Sequence, residues 1–281
     1  MLGIIGGSGF YQWDGAQTAA HNIKTPFGEP SAPVLEFSAE GGRKTLFMPR
    51  HGAGHRLLPS EINYRANIWA LKKAGARQVV AVSACGSLRE EICPGDFIIP
   101  AQYFDHTRGG RARTFFGGGL VGHVSSARPA CPVLSAALAA AGEAEGFAVH
   151  RNKTYACVEG PRLGTRAESF FLRDAAKADI VGMTNVPEAF LALEAQLCYA
   201  TLAVCTDYDC WMDDPEKHAT LREILARFAG SIARARQITA ALANNPPPVN
   251  EEHRRAASAA IITPPDAQTP AHQELLEVLL A

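Results

Sequence analysis

The sequence predicts an α/β domain built on a mixed central β-sheet flanked by helices, and three observations carry that prediction. Unbroken apolar runs, Leu2 to Ile5, Val79 to Val82 and Cys198 to Cys205, read as strands buried on both faces of a parallel sheet. Between and after them lie stretches with apolar residues at helical spacing, such as Ala189, Phe190, Leu193 and Leu197. One pair of alternating segments, Pro33 to Ser38 and Arg43 to Met48 about Gly41-Gly42, reads as a β-hairpin and supplies antiparallel strands. The 281 residues are enough for one large domain with a sizeable core.

In chain order, the first strand runs into Gly6-Gly7-Ser8-Gly9, a turn that can aim backbone N–H groups and a hydroxyl at an anion. A tight turn needing positive φ explains it equally well. The second hairpin strand ends at Arg50-His51-Gly52, where a planar guanidinium fork and an imidazole suit phosphate. His51 and His55 lie four apart, but Gly52 and Gly54 argue against a helix presenting both to a metal. Ser60 is expected to cap a helix that runs to Ala74 and stops at Gly75. On it Asn63, Tyr64 and Asn67 are expected on the exposed side, as a solvated face or as interface or site groups. Val79 to Val82 ends in Ser83-Ala84-Cys85-Gly86-Ser87, a third small-residue loop at a strand end.

Phe97 to Pro100 is a further strand, and Asp105 to Phe116 reads as a mobile Arg- and Gly-rich loop followed by a lone His123. Ser135 to Ala144 is an Ala-rich helix. Tyr155 to Glu159 is a strand leading into Gly160-Pro161-Arg162, where Glu159 is expected to pair with Arg162 if its role is structural. Thr165 to Ala175 is helical. Ile180 to Thr184 is a short strand ending in a hydroxyl, and Pro187 and Glu188 suit the first turn of the helix that follows. After Trp211, Pro215 to Ala243 reads as one long amphipathic helix. The run Asn244 to Pro248 breaks the chain, so residues 1–245 are expected as the domain and 246–281 as a C-terminal extension carrying a short helix from about Pro270 to Leu280.

Composition narrows the function. Hydrophobic residues make up 47% and charged residues 20%, with a net charge of −1 and no basic stripe, which argues against a nucleic-acid binder. Seven scattered cysteines without a C-x-x-C pair read as reduced thiols in a cytoplasmic protein. No apolar run has the length of a bilayer span.

Open α/β sheets bind ligands beyond the carboxyl ends of their strands. Met183-Thr184 and Asp207-Tyr208-Asp209 stand at two such ends. The aspartates allow three readings: a solvated turn with Asp207 as a helix cap, a metal pair, or two carboxylates that recognise ring N–H and amino groups. A metal is disfavoured because no His or Glu lies at ligand spacing. Tyr208 and Trp211 beside the pair favour a semi-apolar pocket, in which a carboxyl can hold a proton.

With Met183-Thr184 upstream, the run Thr206 to Trp211 resembles the methylthioadenosine phosphorylase branch of the trimeric nucleoside phosphorylases, and the other stretches agree over nearly the whole chain. The resemblance implies the nucleoside phosphorylase fold. It places phosphate on Ser8, Arg50, His51, Ser83, the Ala84 backbone and Thr184. It sets Met183, Asp207, Asp209 and the loop containing Leu163 and Gly164 against the nucleoside, and lines the 5′-methylthio pocket with Leu221, Ile224 and Leu225. It sends the His123 segment into a neighbouring subunit's site and packs the C-terminal region at the subunit boundary of a homotrimer. Leu163 stands where an aromatic is common, Gly164 where a Ser is frequent, and His106 where an Arg is usual. The loop from Arg108 to Thr114 is also unusual in composition. These departures bear on pocket shape rather than on reaction class.

The implied reaction is phosphorolysis of a purine nucleoside, with phosphate as co-substrate and neither metal nor organic cofactor. An oxocarbenium-like sugar forms as the base departs. An anion must then be held beneath C1′, and the purine N7 must receive a proton or hydrogen bond, for which Asp207 is the candidate. Three alternatives stand beside methylthioadenosine: a 6-oxopurine or methylthioinosine phosphorylase, a nucleoside hydrolase, and a non-catalytic nucleoside-binding protein. Two carboxylates speak against the first, Arg50-His51 against the second, and the coexistence of an anion set with an acid against the third.

Overall fold

The computed structural model describes residues 1–212 and 221–281, the side chains of 40 and 221–229 aside. The sheet consists of β1 (Leu2–Gly6), β2 (Gln17–His21), β3 (Val34–Ser38), β4 (Lys44–Pro49), β5 (Gln78–Ser87), β6 (Phe97–His106), β7 (Val149–Val158), β8 (Ile180–Gly182) and β9 (Cys198–Tyr208). The helices are α1 (Tyr64–Lys73), α2 (Pro132–Ala144), α3 (Arg166–Phe170), α4 (Asn185–Glu194), α5 (Leu221–Asn244), α6 (Glu251–Arg254) and α7 (Pro270–Leu279).

The strand order is β2-β3-β4-β1-β5-β8-β7-β6-β9, and β9 pairs back onto β5 along its length. Five strands, β5, β8, β7, β6 and β9, therefore close into a ring, while β1 to β4 extend it as an open wing. The sheet is mixed as expected. Pairs β1/β4, β1/β5, β5/β9, β6/β7 and β7/β8 are parallel, and β2/β3, β3/β4, β5/β8 and β6/β9 are antiparallel.

Strand periodicity explains why β5 has no polar face in its first half. Val79 and Ala81 point into a core shared with Ile68, Leu71 and Leu191 of α1 and α4. Val80 and Val82 point into a second core shared with Leu134, Leu138 and Ile238 of α2 and α5. With both faces covered, alternation gives two apolar sets in place of an apolar and a polar one.

Several elements differ from expectation. α1 starts at Tyr64, capped by Asn63, whose Oδ1 accepts from the Ala66 N–H. Ser60 is not the cap, because residues 58–61 form a turn of their own, closed by the Glu61 N–H on the Leu58 carbonyl and by the Leu58 N–H on the Glu61 carboxylate. Asn67 and Tyr64 are buried struts, not an exposed face: the Asn67 amide meets the Ser31 N–H and hydroxyl, and the Tyr64 hydroxyl donates to the Pro59 carbonyl. β6 continues to His106, so only the later part of the expected loop is irregular. α3 opens on a Thr165–Glu168 capping box and passes into a π-helical turn over 171–175. α4 begins at Asn185, and Val186 before Pro187 is extended, as the proline ring requires of its predecessor. The long helix is described from Leu221, and 215–220 of its expected start lie outside the described residues. The C-terminal extension turns back onto its own chain, burying Leu279 and packing Leu275 and Val278 on the core beside α1. No helix among the described residues is long and apolar enough to cross a membrane.

Candidate active site

A cavity of about 370 Å³ opens beyond the carboxyl ends of β1, β4, β5, β7, β8 and β9. Its lining includes most of the residues singled out from the sequence: Ser8, Arg50, His51, Ser83 and Ala84 at one side, Met183 and Thr184 in the middle, Asp207 and Asp209 with Leu163 and Gly164 at the other. Of the remaining expectations, that of a pocket walled by Tyr208 and Trp211 is not met. His123 does not line the cavity; its N–H donates to the Ala260 carbonyl, in a segment bridged to Ile261. The side chains of Leu221, Ile224 and Leu225 lie outside the described residues. Tyr208 and Trp211 turn away from the cavity and pack edge to face in a small core with Leu88, Leu172 and Met212, so the aspartates are not screened by those rings.

The side expected to hold the anion is made of hydroxyls and close backbone. Ser83 Oγ lies 3.3 Å from Thr184 Oγ1 and 3.3 Å from the Tyr155 hydroxyl. Gly7 is there for space: a Cβ would sit 2.5 Å from the Val82 carbonyl and 2.9 Å from Arg50 Nη1. Gly182 is tighter, since a Cβ would come within 1.8 Å of the Tyr155 hydroxyl. Arg50 is fully buried at the wall of the cavity, and three of its N–H groups are spent on protein partners. Nε and Nη2 donate to the two Glu188 oxygens at 2.6 and 2.8 Å, and Nη1 donates to the Val82 carbonyl at 2.9 Å. Glu188 also accepts from the Tyr199 hydroxyl at 2.8 Å. Glu188 is thus the counter-ion of the site's arginine, a role beyond that of an acid suited to a helix N-terminus. His51 donates from Nδ1 to the Leu57 carbonyl at 2.8 Å, and burial pushes its pKa down to about 4.

At the other side, the register of β9 on β5 slips between Cys85 and Gly86, so that Cys205 faces Cys85 and Asp207 faces Gly86. Thr206 is the extra residue. Such a bulge re-aims the side chains beside it. Thr206 Oγ1 donates to Asp207 Oδ1 at 2.7 Å and to the Cys85 carbonyl. Asp209 is tied by its N–H to the Ser87 carbonyl at 3.0 Å, and burial raises its carboxyl above the usual range. The Asp209 Cβ and Asp207 Oδ2 both lie close to Gly86, which leaves them room.

A brace that the sequence did not reveal ties the strand end at Met183 to the segment after β7. Arg111 Nη1 donates to the Met183 and Val186 carbonyls, both at 2.8 Å, while Nε and Nη2 engage the Glu159 carboxylate and carbonyl at 3.0 and 2.9 Å. Glu159 therefore pairs with Arg111, not with Arg162, and it also receives the Arg108 and Gly109 N–H groups. Arg162 instead pairs with Glu168. The segment expected to be a mobile loop is pinned at its centre by a nearly buried guanidinium. His106 lies at the rim between Phe104 and Phe171. No cluster of three or more His, Cys, Asp or Glu side chains suited to a metal occurs among the described residues.

Comparison with known proteins agrees with this architecture. Residues 1–243 match the phosphorylase superfamily. The chain is 47% identical over 239 residues to the S-methyl-5′-thioadenosine phosphorylase of Geobacter sulfurreducens, covering 85% of this chain and 82% of that one. It is 48% identical over 238 residues to the S-methyl-5′-thioadenosine phosphorylase of Hyperthermus butylicus, covering 84% and 85%. Among solved structures, a methylthioadenosine phosphorylase from an antarctic soil metagenomic library superposes with a TM-score of 0.88 at 42% identity, over 100% of this chain and 98% of that one. A variant of the Schistosoma mansoni adenosine/methylthioadenosine phosphorylase in complex with methylthioadenosine superposes with a TM-score of 0.79 at 36% identity, over 86% and 90%. With the family match running from the first strand into the last turn of the long helix, the chain belongs to the phosphorylase superfamily.

Proposed function

We propose that this protein cleaves 5′-methylthioadenosine with inorganic phosphate, giving adenine and 5-methylthioribose 1-phosphate. The observation that carries it is one cavity with two chemically distinct sides: Ser8, His51, Ser83 and Thr184 at one, Asp207 and Asp209 at the other. A phosphate oxygen forms the bond to C1′ as the C1′–N9 bond breaks. The electron pair passes into the purine, and N7 takes the proton. The hydroxyls and backbone N–H groups hold the phosphate, Met183 contacts the sugar, and Asp207 supplies the hydrogen bond or proton to N7. Asp209 faces the 6-amino group, and Leu163 and Gly164 shape the rim. The reaction draws on no metal or organic cofactor. The similarity to phosphorylases named for methylthioadenosine supports the substrate, and the reduced cysteines fit a cytoplasmic enzyme of purine and methionine salvage.

A homotrimer completes this reading. Val121 and Ile262 are 46% and 62% exposed although joined through their backbones, and His123 beside them does not line the cavity formed by the described residues of its own chain. An apolar rim of this kind suits a subunit contact. Sedimentation of an active monomer would remove it.

The test of function is product analysis with methylthioadenosine, with and without phosphate. Adenine and the sugar phosphate should appear only with phosphate, whereas equal turnover in its absence would make the protein a hydrolase. A 6-oxopurine preference is the second reading, favoured by the raised Asp209 carboxyl, which when protonated offers a donor to O6. Comparing inosine-type and adenosine-type nucleosides decides it.

A further inference from the structure

His51 is 3% exposed at the foot of the cavity. Its Nδ1 lies 2.8 Å from the Leu57 carbonyl. A carbonyl oxygen can only accept, so Nδ1 carries the hydrogen, and in the neutral ring Nε2 is a bare acceptor. The surroundings favour that neutral ring. Arg50 precedes it, and His55 stacks on it with ring centroids 4.1 Å apart and planes 17° apart. His55 in turn meets the Tyr11 hydroxyl at 2.8 Å, on the loop after β1. Arg56 packs against Gly52 on the following turn. Of the two carboxylates on α4, Glu188 has both oxygens taken by Arg50, and Glu194 is held by Thr114 and the Phe115 N–H. No carboxylate pairs with His51 among the described residues. Burial, Arg50 and His55 together hold its pKa near 4, far below that of an exposed histidine.

We propose that His51 Nε2 accepts a hydrogen bond from a protonated oxygen of the bound phosphate, so that the site selects an oxyanion that brings its own proton. This rests on the phosphate reading above and sharpens it. Monohydrogen phosphate and sulfate share shape and charge, and they differ in that one hydrogen. Ser8, Ser83 and Thr184 can donate to the remaining oxygens of either ion. Sulfate, which has nothing to give Nε2, sets lone pair against lone pair unless the imidazole first takes a proton from water. Arsenate carries the same hydrogen as phosphate and is accepted.

The experiment is calorimetric titration of the full-length protein with inorganic phosphate, arsenate and sulfate between pH 7 and 9, in two buffers of different ionisation enthalpy. Phosphate and arsenate should bind with little change across this range and without net proton uptake. Sulfate should bind with uptake of close to one proton and weaken about tenfold per pH unit, as linkage to a single proton requires. In His51→Ala the preference of phosphate over sulfate should collapse toward unity. Equal affinity and parallel pH dependence of the two ions in the wild-type protein would overturn the proposal, as would a preference that survives in the alanine variant. Should that variant not fold, the wild-type proton counts alone decide. Turnover of methylthioadenosine without phosphate would overturn the phosphate reading and this inference with it, whereas phosphate-dependent turnover with equal sulfate binding overturns this inference alone.

Discussion

Glu188 meets Arg50 through both carboxylate oxygens, at 2.6 and 2.8 Å, and neither side chain is exposed. Arg50 is therefore a structural cation before it is anything else. Removing one member of a buried pair leaves the other uncompensated, which costs about 3–5 kcal/mol. Glu188→Ala should lower unfolding stability by that amount in urea titration. Arg50→Lys should not behave as a conservative change, because one ammonium cannot reproduce the two parallel bonds. A Glu188→Ala protein of wild-type stability would show that the pair contributes no net stabilisation.

Arg111→Ala should act on the nucleoside side of the cavity. Its guanidinium holds the Met183 and Val186 carbonyls and the Glu159 carboxylate together. A hydrogen bond to a charged group is worth about 1.5–3 kcal/mol. KM for methylthioadenosine should rise roughly ten- to a hundredfold if one such bond's worth of positioning is lost. KM for phosphate should change much less. Steady-state kinetics with each substrate varied in turn reads both, and parallel increases would place Arg111 outside the nucleoside side.

Asp207→Ala should cut kcat for methylthioadenosine by roughly 10²–10⁴-fold, the usual worth of a general acid. Asp209→Asn should mainly narrow the preference for adenine over hypoxanthine nucleosides, because an amide can donate toward O6. The wild-type protein should show a related pH effect. Burial raises the Asp209 carboxyl, so acidification protonates it earlier than an exposed aspartate, and the adenine preference should weaken as pH falls. Wild-type kcat and base preference in both folded variants would leave the aspartates as braces of the turn.

Lys72 near the end of α1 is 3% exposed, and its Nζ has no hydrogen-bond partner among the described residues. Burial, with Arg254 and Arg77 nearby, pushes its pKa down to about 7. The folded pKa lies below the unfolded one, so between pH 7 and about 10.5 the unfolded chain binds more protons. This group's contribution to stability should then rise with pH across that window, and the full penalty of its burial should be present below pH 7. Lys72→Met keeps the buried stem and removes the charge. It should stabilise the protein at pH 7 by about 1–3 kcal/mol, with the gain shrinking toward pH 10. Chemical denaturation at both pH values checks it, and a variant less stable than wild type at pH 7 would contradict it.

The strands and most of the cavity-lining residues were legible in the chain because parallel strands buried on both faces leave apolar runs, and their polar ends stand out by contrast. What escaped depends on long-range partners. Arg111 sits in an Arg- and Gly-rich stretch that looks solvated, and only the approach of β7 and β8 makes it a brace. Glu188 fits a helix N-terminus so well on local grounds that its partner 138 residues away gives no sign of itself. The orientation of Asp207 rests on a one-residue bulge between β5 and β9, which an apolar run cannot announce. Asn67 and Tyr64 read as surface residues because their partners, Ser31 and Pro59, come from two loops outside their helix.

The closure of β5 onto β9 has a kinetic consequence for the cavity. Strands closed into a ring leave few edges from which to fray, so the amides of 80–84 and 200–204 should exchange with solvent chiefly through openings that part β5 from β9. Ser83 and Ala84 lie within that protected set, and Asp207 is only three residues past it. Hydrogen–deuterium exchange should find these strands among the slowest segments of the chain even without substrate. A bound nucleoside would then slow exchange in the rim around Arg108 and Leu163 far more than in the strands, because the strand-end donors are already immobile.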